Sequence, residues 1–438
     1  MANSTVAGSG RVEPEPASSR PFAELGALLL DAGLSVTDTR RALERVRDAQ
    51  APQAPLTFIV LPATVLIGHR DGGAPLTGGA PTRGELSTHQ SAAGLRLLRD
   101  LERRALALAP AVARMRAIRR LPNRGRSLRW AAGSALLAVG LAILVHCPWW
   151  AIALSACTGA VVGIVSAAIT RVSSAAAIAP FVASFVSTSL VGWVASWWDL
   201  GPVPLFAVCA PVAILVPGAM ITNALLELTS ADMVTGSARL VSGLVVLGFM
   251  AAGIIAGSAL TGLRLDPGSA ALIGDVPAPS TALEGWGALP PAWAAWLGVV
   301  ALAIGVGLAF GADIRLTTIG IVAMAGAYAV LSLLTPAVGA IAATGLTGMA
   351  LFIASRLLER TRASVPAAIS FQPAFLLLVP GTVGLVALTT LDPGSLSTVP
   401  LTFVSLCLGT KAGSVLADAD WARLFSRGRG PSAGAAAR

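Results

Sequence analysis

The segment APVAILVPGAMITNALLELTSADMVTGSARL, residues 210–240, decides how this chain folds. Its first half is apolar enough for hydrocarbon, yet Pro217 and Gly218 interrupt it. Proline removes a backbone N–H and frees the carbonyl that would have received it. Lipid cannot satisfy such a group, so the break survives only against protein or a water-lined cavity. The same tetrapeptide, Leu-Val-Pro-Gly, returns at Leu378 to Gly381, 163 positions after Leu215, again inside an apolar run. Each copy follows another proline, Pro211 in one case and Pro373 in the other.

Outward from these two breaks the chain reads as a polytopic membrane protein. It has 438 residues, 55% hydrophobic and only 12% charged, with a mean hydropathy of +0.76. Soluble domains carry about twice that share of charge. Ten apolar spans are expected near 128–147, 149–170, 174–197, 203–222, 238–262, 290–310, 314–334, 336–355, 367–390 and 396–416, each near the ~20 residues that cross a bilayer. The net charge of +9 does not indicate nucleic acid, because the arginines sit in flanks and short loops without interleaved aromatics. Cys147, Cys157, Cys209 and Cys407 lie in or beside apolar spans without CxxC spacing, so they read as buried small hydrophobes. No metal or cofactor motif is present, and no P-loop, nucleophile elbow or GxGxxG.

Before the spans lies a polar region. Residues 1–20 are Pro/Gly/Ser-rich and are expected to be disordered, with no apolar signal segment. Residues 21–127 read as a cytoplasmic α+β domain. PFAELGALLLDAG has helical apolar spacing, and Ser35 with Asp38 looks like the cap of a second helix. LTFIVLPATVLI (56–67) suggests a strand or hairpin broken at Pro62, 71–84 a loop, and 90–120 one long Arg-rich helix kinked at Pro110.

Arginines crowd the approach to the first span and the even-numbered loops and tail, whereas the odd-numbered loops carry only Arg264. The positive-inside rule then places both termini in the cytoplasm of a cell (inner) membrane protein. The two Pro-Gly breaks fall on spans four and nine. The chain therefore divides into a five-helix repeat at 128–262, an external linker at 263–289, a second five-helix repeat at 290–416 and a tail at 417–438. Five is odd, so the second repeat is inverted, an arrangement common among transporters.

Several side chains could carry chemistry. Half-helix amino termini at Pro217-Gly218 and Pro380-Gly381 suit a carboxylate, unwound carbonyls suit an ammonium group, and Thr222, Asn223 and Thr382 add polar contacts. Asn223 and Glu227 share a helical face. An ionisable group deep in a bilayer is costly and is retained for function or for pairing. Glu227 thus either binds substrate or exchanges a proton, or it is solvated or paired with Arg239. Asp232 and Arg239 complete this charged stretch. Lys411, the single lysine, either holds an anion or snorkels to the interface.

LGALLLDAGLSVTDTRRALERV (25–46), LVPGAMITNALLELTSADMVTGSARL (215–240) and SVPAAISFQPAFLLLVPGTVGL (364–385) together resemble the threonine/serine exporter (ThrE-type) family. Pro217, Gly218, Glu227, Asp232, Gly236 and Arg239 fall where that family shows Pro-Gly, an acid, an Asp, a Gly and an Arg, with Glu227 standing where Asp is commoner. The resemblance implies proton-motive-force-dependent export of threonine and serine, with protons and the lipid bilayer as partners and a homo-oligomer left open. Some relatives are linked to small dicarboxylates such as succinate, which keeps a dicarboxylate exporter as an alternative. A membrane-embedded enzyme or a sensor is a further alternative, against which residues 21–127 offer only His69 and His89 and no recognisable triad.

Overall fold

Hydrophobic patterning divides the chain into two units, which the computed structural model resolves as Met1–Pro122 with Ser230–Thr235, and Asn123–Thr229 with Gly236–Arg438. The structure describes residues 19–69, 78–84, 86–121, 126–171, 177–228, 232–266, 285–360, 374, 377–378, 385 and 393–418.

In the first unit, helix α1 (Ser19–Asp31) buries nearly its whole length, with Phe22, Leu25, Leu28 and Leu29 fully enclosed. Helix α2 (Val36–Gln50) starts as its cap predicts: Asp38 N–H donates to Ser35 Oγ at 3.0 Å. Strands β1 (Leu56–Leu61) and β2 (Thr64–His69) form the expected hairpin, turning at Pro62-Ala63 with Leu61 opposite Thr64. Alternation buries Leu56, Phe58 and Val60 and exposes Thr57, Ile59 and Leu61. Part of the expected loop is a third antiparallel strand, β3 (Gly78–Pro81), paired to β2.

The expected long helix is two: α3 (Thr88–Glu102) and α4 (Leu108–Arg119). The break falls before Pro110, at 103–107, where Arg104 is left-handed (φ 59°). Gln50 donates to the carbonyls of Leu101 and Leu106 on either side of the break, at 2.8 and 2.9 Å. Pro110 sits in the first turn of α4, where a missing N–H costs nothing. Asp31, buried, accepts from the backbone N–H groups of Arg83 and Gly84 and from the Arg119 guanidinium, tying α1 to α4.

Among the described residues the second unit is mainly helical: α5 (Arg126–Leu144), α6 (Trp149–Ile169), α7 (Ala179–Trp197), α8 (Leu205–Val212), α9 (Gly218–Leu228), α10 (Met233–Thr261), α11 (Ala294–Ala309), α12 (Ile314–Arg360) and α13 (Pro393–Asp418). Two-residue strands β4 (Val203–Pro204) and β5 (Leu265–Asp266) pair in parallel. Among the described residues, six helices are long and apolar enough to cross a membrane. One of them, α12, has 47 residues. At about 1.5 Å per residue it would exceed twice the ~30 Å hydrocarbon thickness. It is divided at Gly339 (φ 80°, ψ 158°), three residues after Pro336, so it supplies two arms. Span nine was expected at 367–390, and apart from helical Ala374, Leu377, Leu378 and Leu385 it lies outside the described residues.

Glycines set the helix spacing. α5 and α11 run antiparallel with their backbones touching. A Cβ on Gly140 would meet Leu302 N at 2.5 Å and Gly298 O at 2.6 Å, and one on Gly133 would meet Ala309 N at 2.6 Å. The relation is mutual, since a Cβ on Gly305 would meet Leu137 N at 2.5 Å. α7 and α10 make a second seam, Gly253 against Phe181 O and Gly257 against Thr188. The second arm of α12 makes a third with α13, Gly409 against Gly345 and Gly413 against Met349. In lipid there is no hydrophobic drive between helices, so close van der Waals approach over small residues takes its place.

Candidate functional site: the interrupted helix α8–α9

The break read from sequence is present at its first copy. α8 contains Pro211, tightens into a 3₁₀ turn at Ala213–Leu215, and gives way to extended backbone at Val216 (φ −64°, ψ 123°). Val216 N–H reaches back to Ala213 O at 3.1 Å. Pro217, with no N–H to give, caps α9, and its carbonyl takes the first bond of the new helix from Ile221 N–H at 3.0 Å. The interruption therefore puts a helix amino terminus beneath a non-helical stretch, in the interior of the unit. Gly218 is buried, and Leu215, Val216 and Pro217 are half-buried. A new amino terminus carries partial positive charge.

Two turns on, α9 carries a buried acid. Glu227 is 1% exposed and pairs through Oε1 with Arg239 Nη1 at 2.9 Å. The two belong to a tight helical hairpin. A Cβ on Gly236 would meet Leu228 Cγ at 2.7 Å and Ala224 O at 2.9 Å, and one on Gly243 would meet Ile221. Small residues on α10 thus bring Arg239 to the acid. A buried pair is costly to assemble but far costlier to break by removing one member, about 3–5 kcal/mol. Glu227 is thus paired with Arg239 and withdrawn from the surface, an arrangement that leaves its role in substrate binding or proton exchange a matter for proposal. Asn223 lies one turn earlier on α9, half-buried, and Thr222 precedes it in the same helix.

The remaining candidates are placed differently. Asp232 does not join Glu227 and Arg239. Its carboxylate accepts from Thr37 Oγ1 and lies 3.9 Å from Arg40 Nη2, both on α2. Lys411 stands half-buried on α13, a helix that packs against the second arm of α12 and against α9. Pro380, Gly381 and Thr382 lie outside the described residues. Sequence reading missed Thr37 and Arg40, since nothing local pairs positions 195 residues apart. It also missed the seam of α5 and α11, for which a signal existed: glycines spaced by seven in each, Gly133 and Gly140 against Gly298 and Gly305.

An interrupted helix in the core of a helical membrane protein is a device that solute transporters use. Comparison with known proteins narrows this. The model of the ThrE family, described as "Putative threonine/serine exporter", matches residues 21–261, more than half of the chain, and the chain belongs to that family. A family so described agrees with a transporter rather than an enzyme. The matched span holds α1 and α2, the first break, the Glu227–Arg239 pair and Asp232, and the likeness at 364–385 lies beyond it. No curated protein and no solved structure matches the chain.

Proposed function

We propose that this protein is a secondary exporter that carries threonine and serine across the cell membrane, driven by the proton motive force. The observation that carries the reading is the break at Ala213–Pro217 inside the region matched by the exporter family. The α9 terminus suits the substrate carboxylate, the carbonyls of the unwound stretch suit its ammonium group, and Thr222 and Asn223 lie one turn along for the hydroxyl. Glu227, released from or returned to Arg239, is the proposed proton-linked group. Lys411 is the proposed gating cation. Pro380, Gly381 and Thr382 are proposed to contribute the matching half of the site.

Ten spans in two inverted repeats, with both termini in the cytoplasm, complete the proposal. Three features support the repeat. The seam of α5 with α11 is self-symmetric: Gly133 lies against Gly305, and Gly140 against Gly298, so exchanging the two halves returns the same pairs. The antiparallel run of these helices is what inversion requires. Further on, Phe181 and Phe185 of α7 face Gly253 and Gly257 of α10, as Gly345 and Met349 of α12 face Gly409 and Gly413 of α13.

Counterflow of labelled threonine into proteoliposomes tests the function. Accumulation competed by serine and indifferent to succinate is expected. Exchange of succinate without threonine would move the protein to the dicarboxylate class, and exchange of neither would remove the exporter reading.

A further inference from the structure

Helices α6, α7 and α8 pack on one another, so the first half of the interrupted helix has α6 and α7 for neighbours. α8 itself, LFAVCAPV, is wholly buried and offers no side-chain oxygen. Two hydroxyls are set into the apolar core around it. On α7, Ala183, Ser187 and Val191 follow one another at helical spacing and form one buried face. Ala183 and Val191 belong to the hydrophobic core that contains α8, so Ser187 places a hydroxyl between them. On α6, Ala151, Ile152 and Val162 belong to the same core, and Ser155 shares their face.

Both serines are fully buried, and neither hydroxyl has a hydrogen-bond partner among the described residues. A remedy exists in the carbonyl one turn back. Thr158 of α6 takes it at Leu154 O, 2.8 Å away, and Thr261 of α10 takes it at Gly257 O, 2.9 Å away. Ser155 and Ser187 do not take it. A buried hydroxyl left unpaired is destabilising, and lipid cannot supply the partner. Ser184 and Thr188 of α7 are unpaired as well, but they stand against Gly253 and Gly257 in the seam with α10, where contact is too close to admit a solute. Ser187 also lies level with the break. α7 ends and α8 begins on either side of the short segment 198–204. From that segment it is about 15 Å back along α7 to Ser187, and about 18 Å forward through the eight residues of α8 and the three of the 3₁₀ turn to Val216.

We infer that Ser155 and Ser187 are specificity-determining residues, which hydrogen-bond the side-chain hydroxyl of the substrate and so select β-hydroxy amino acids over their apolar counterparts. This rests on the proposed transport function. The break takes the main chain of the substrate. Thr222 and Asn223 approach its side chain from α9, and the two serines approach it from α6 and α7. A hydroxyl both donates and accepts, so each serine is satisfied by another hydroxyl. An amino acid without one fills the same space and leaves the serines unpaired, and that difference rejects it.

The test compares threonine with 2-aminobutyrate, which is threonine with its hydroxyl replaced by hydrogen. Each competes with labelled threonine in counterflow into proteoliposomes of the full chain. The unaltered protein should need roughly tenfold more 2-aminobutyrate than threonine for half-inhibition. In a double variant carrying Ser155→Ala and Ser187→Ala the ratio should fall to about threefold or less, through weaker threonine and unchanged 2-aminobutyrate. A ratio that stays, or both amino acids weakened alike, overturns the assignment. A second measurement needs no transport. Without substrate the double variant should unfold at no lower a temperature than the unaltered protein, because it loses only unpaired hydroxyls. A lower one would show that the protein itself holds these hydroxyls, and would overturn the assignment too. Unaltered protein that exchanges threonine without discriminating against 2-aminobutyrate sinks the selectivity alone. Absence of threonine exchange sinks the exporter reading and the selectivity with it.

Discussion

The two units solve the same packing problem in opposite ways. The amino-terminal unit is held by large side chains: Phe22, Leu25, Leu28, Leu43 and Met115 are fully enclosed between helices and sheet. The membrane-type unit is held where side chains are missing, along Gly133, Gly140, Gly298 and Gly305. In water, burying apolar area drives association at about 25 cal/mol per Å², so bulk is rewarded. In hydrocarbon a leucine gains nothing by leaving lipid for protein, and contact distance is what remains. A glycine consequently means different things in the two units. At Gly94, in α3, an added Cβ would find Leu28 at an ordinary 3.6 Å, whereas at Gly140 it would find backbone atoms at 2.5 and 2.6 Å.

This contrast can be broken or sharpened by substitution. The largest effect is expected at the seam. Gly140→Leu should abolish recovery of monodisperse protein from membranes, because backbone cannot yield as a flexible side chain can, and size-exclusion after detergent extraction reads this. A well-behaved, exchanging Gly140→Leu protein would remove the seam. Next comes the ion pair. Glu227→Gln or Arg239→Gln alone should lower thermal stability of the membrane-type unit by about 3–5 kcal/mol, while the double variant recovers part of the loss, since no lone buried charge remains. Failure of the double variant to recover would mean that the pair is not the interaction that matters. In the amino-terminal unit, Leu28→Ala should cost about 2–5 kcal/mol by cavity formation, read as a lower unfolding transition. The smallest change should have the opposite sign. Gly94→Ala should stabilise that unit by up to ~1 kcal/mol, because alanine is the better helix former and its methyl has room.

How much of this was legible in sequence follows from which forces are local. The break at Val216-Pro217 was legible, because no helix accommodates proline with its preceding N–H bond pattern intact. The Ser35 cap and the hairpin at Pro62-Ala63 were legible for the same reason: the residues that make them are neighbours. The split between α3 and α4 was not. Residues 99–108 contain good helix formers, and Pro110 drew attention to the wrong place. What ends α3 is Gln50, arriving from α2 to bind Leu101 and Leu106. The third strand was hidden in a glycine-rich stretch whose pairing to β2 is tertiary. At the site, a pairing of Glu227 with Arg239 was foreseen beside solvation and beside a role in substrate binding or proton exchange. Gly236 and Gly243, by letting α10 close on α9, are the reason that the pair forms. The partner of Asp232 was invisible, being 195 residues away.

The central claim is that substrate occupies the interrupted stretch between α8 and α9, and protection of Val216 measures it most directly. Val216→Cys, in protein lacking its native cysteines, would be alkylated in proteoliposomes by a thiol reagent with and without substrate. The account predicts that threonine and serine slow the labelling in a saturable manner and that succinate does not. Labelling unaffected by threonine, in a variant that still exchanges threonine, would contradict it.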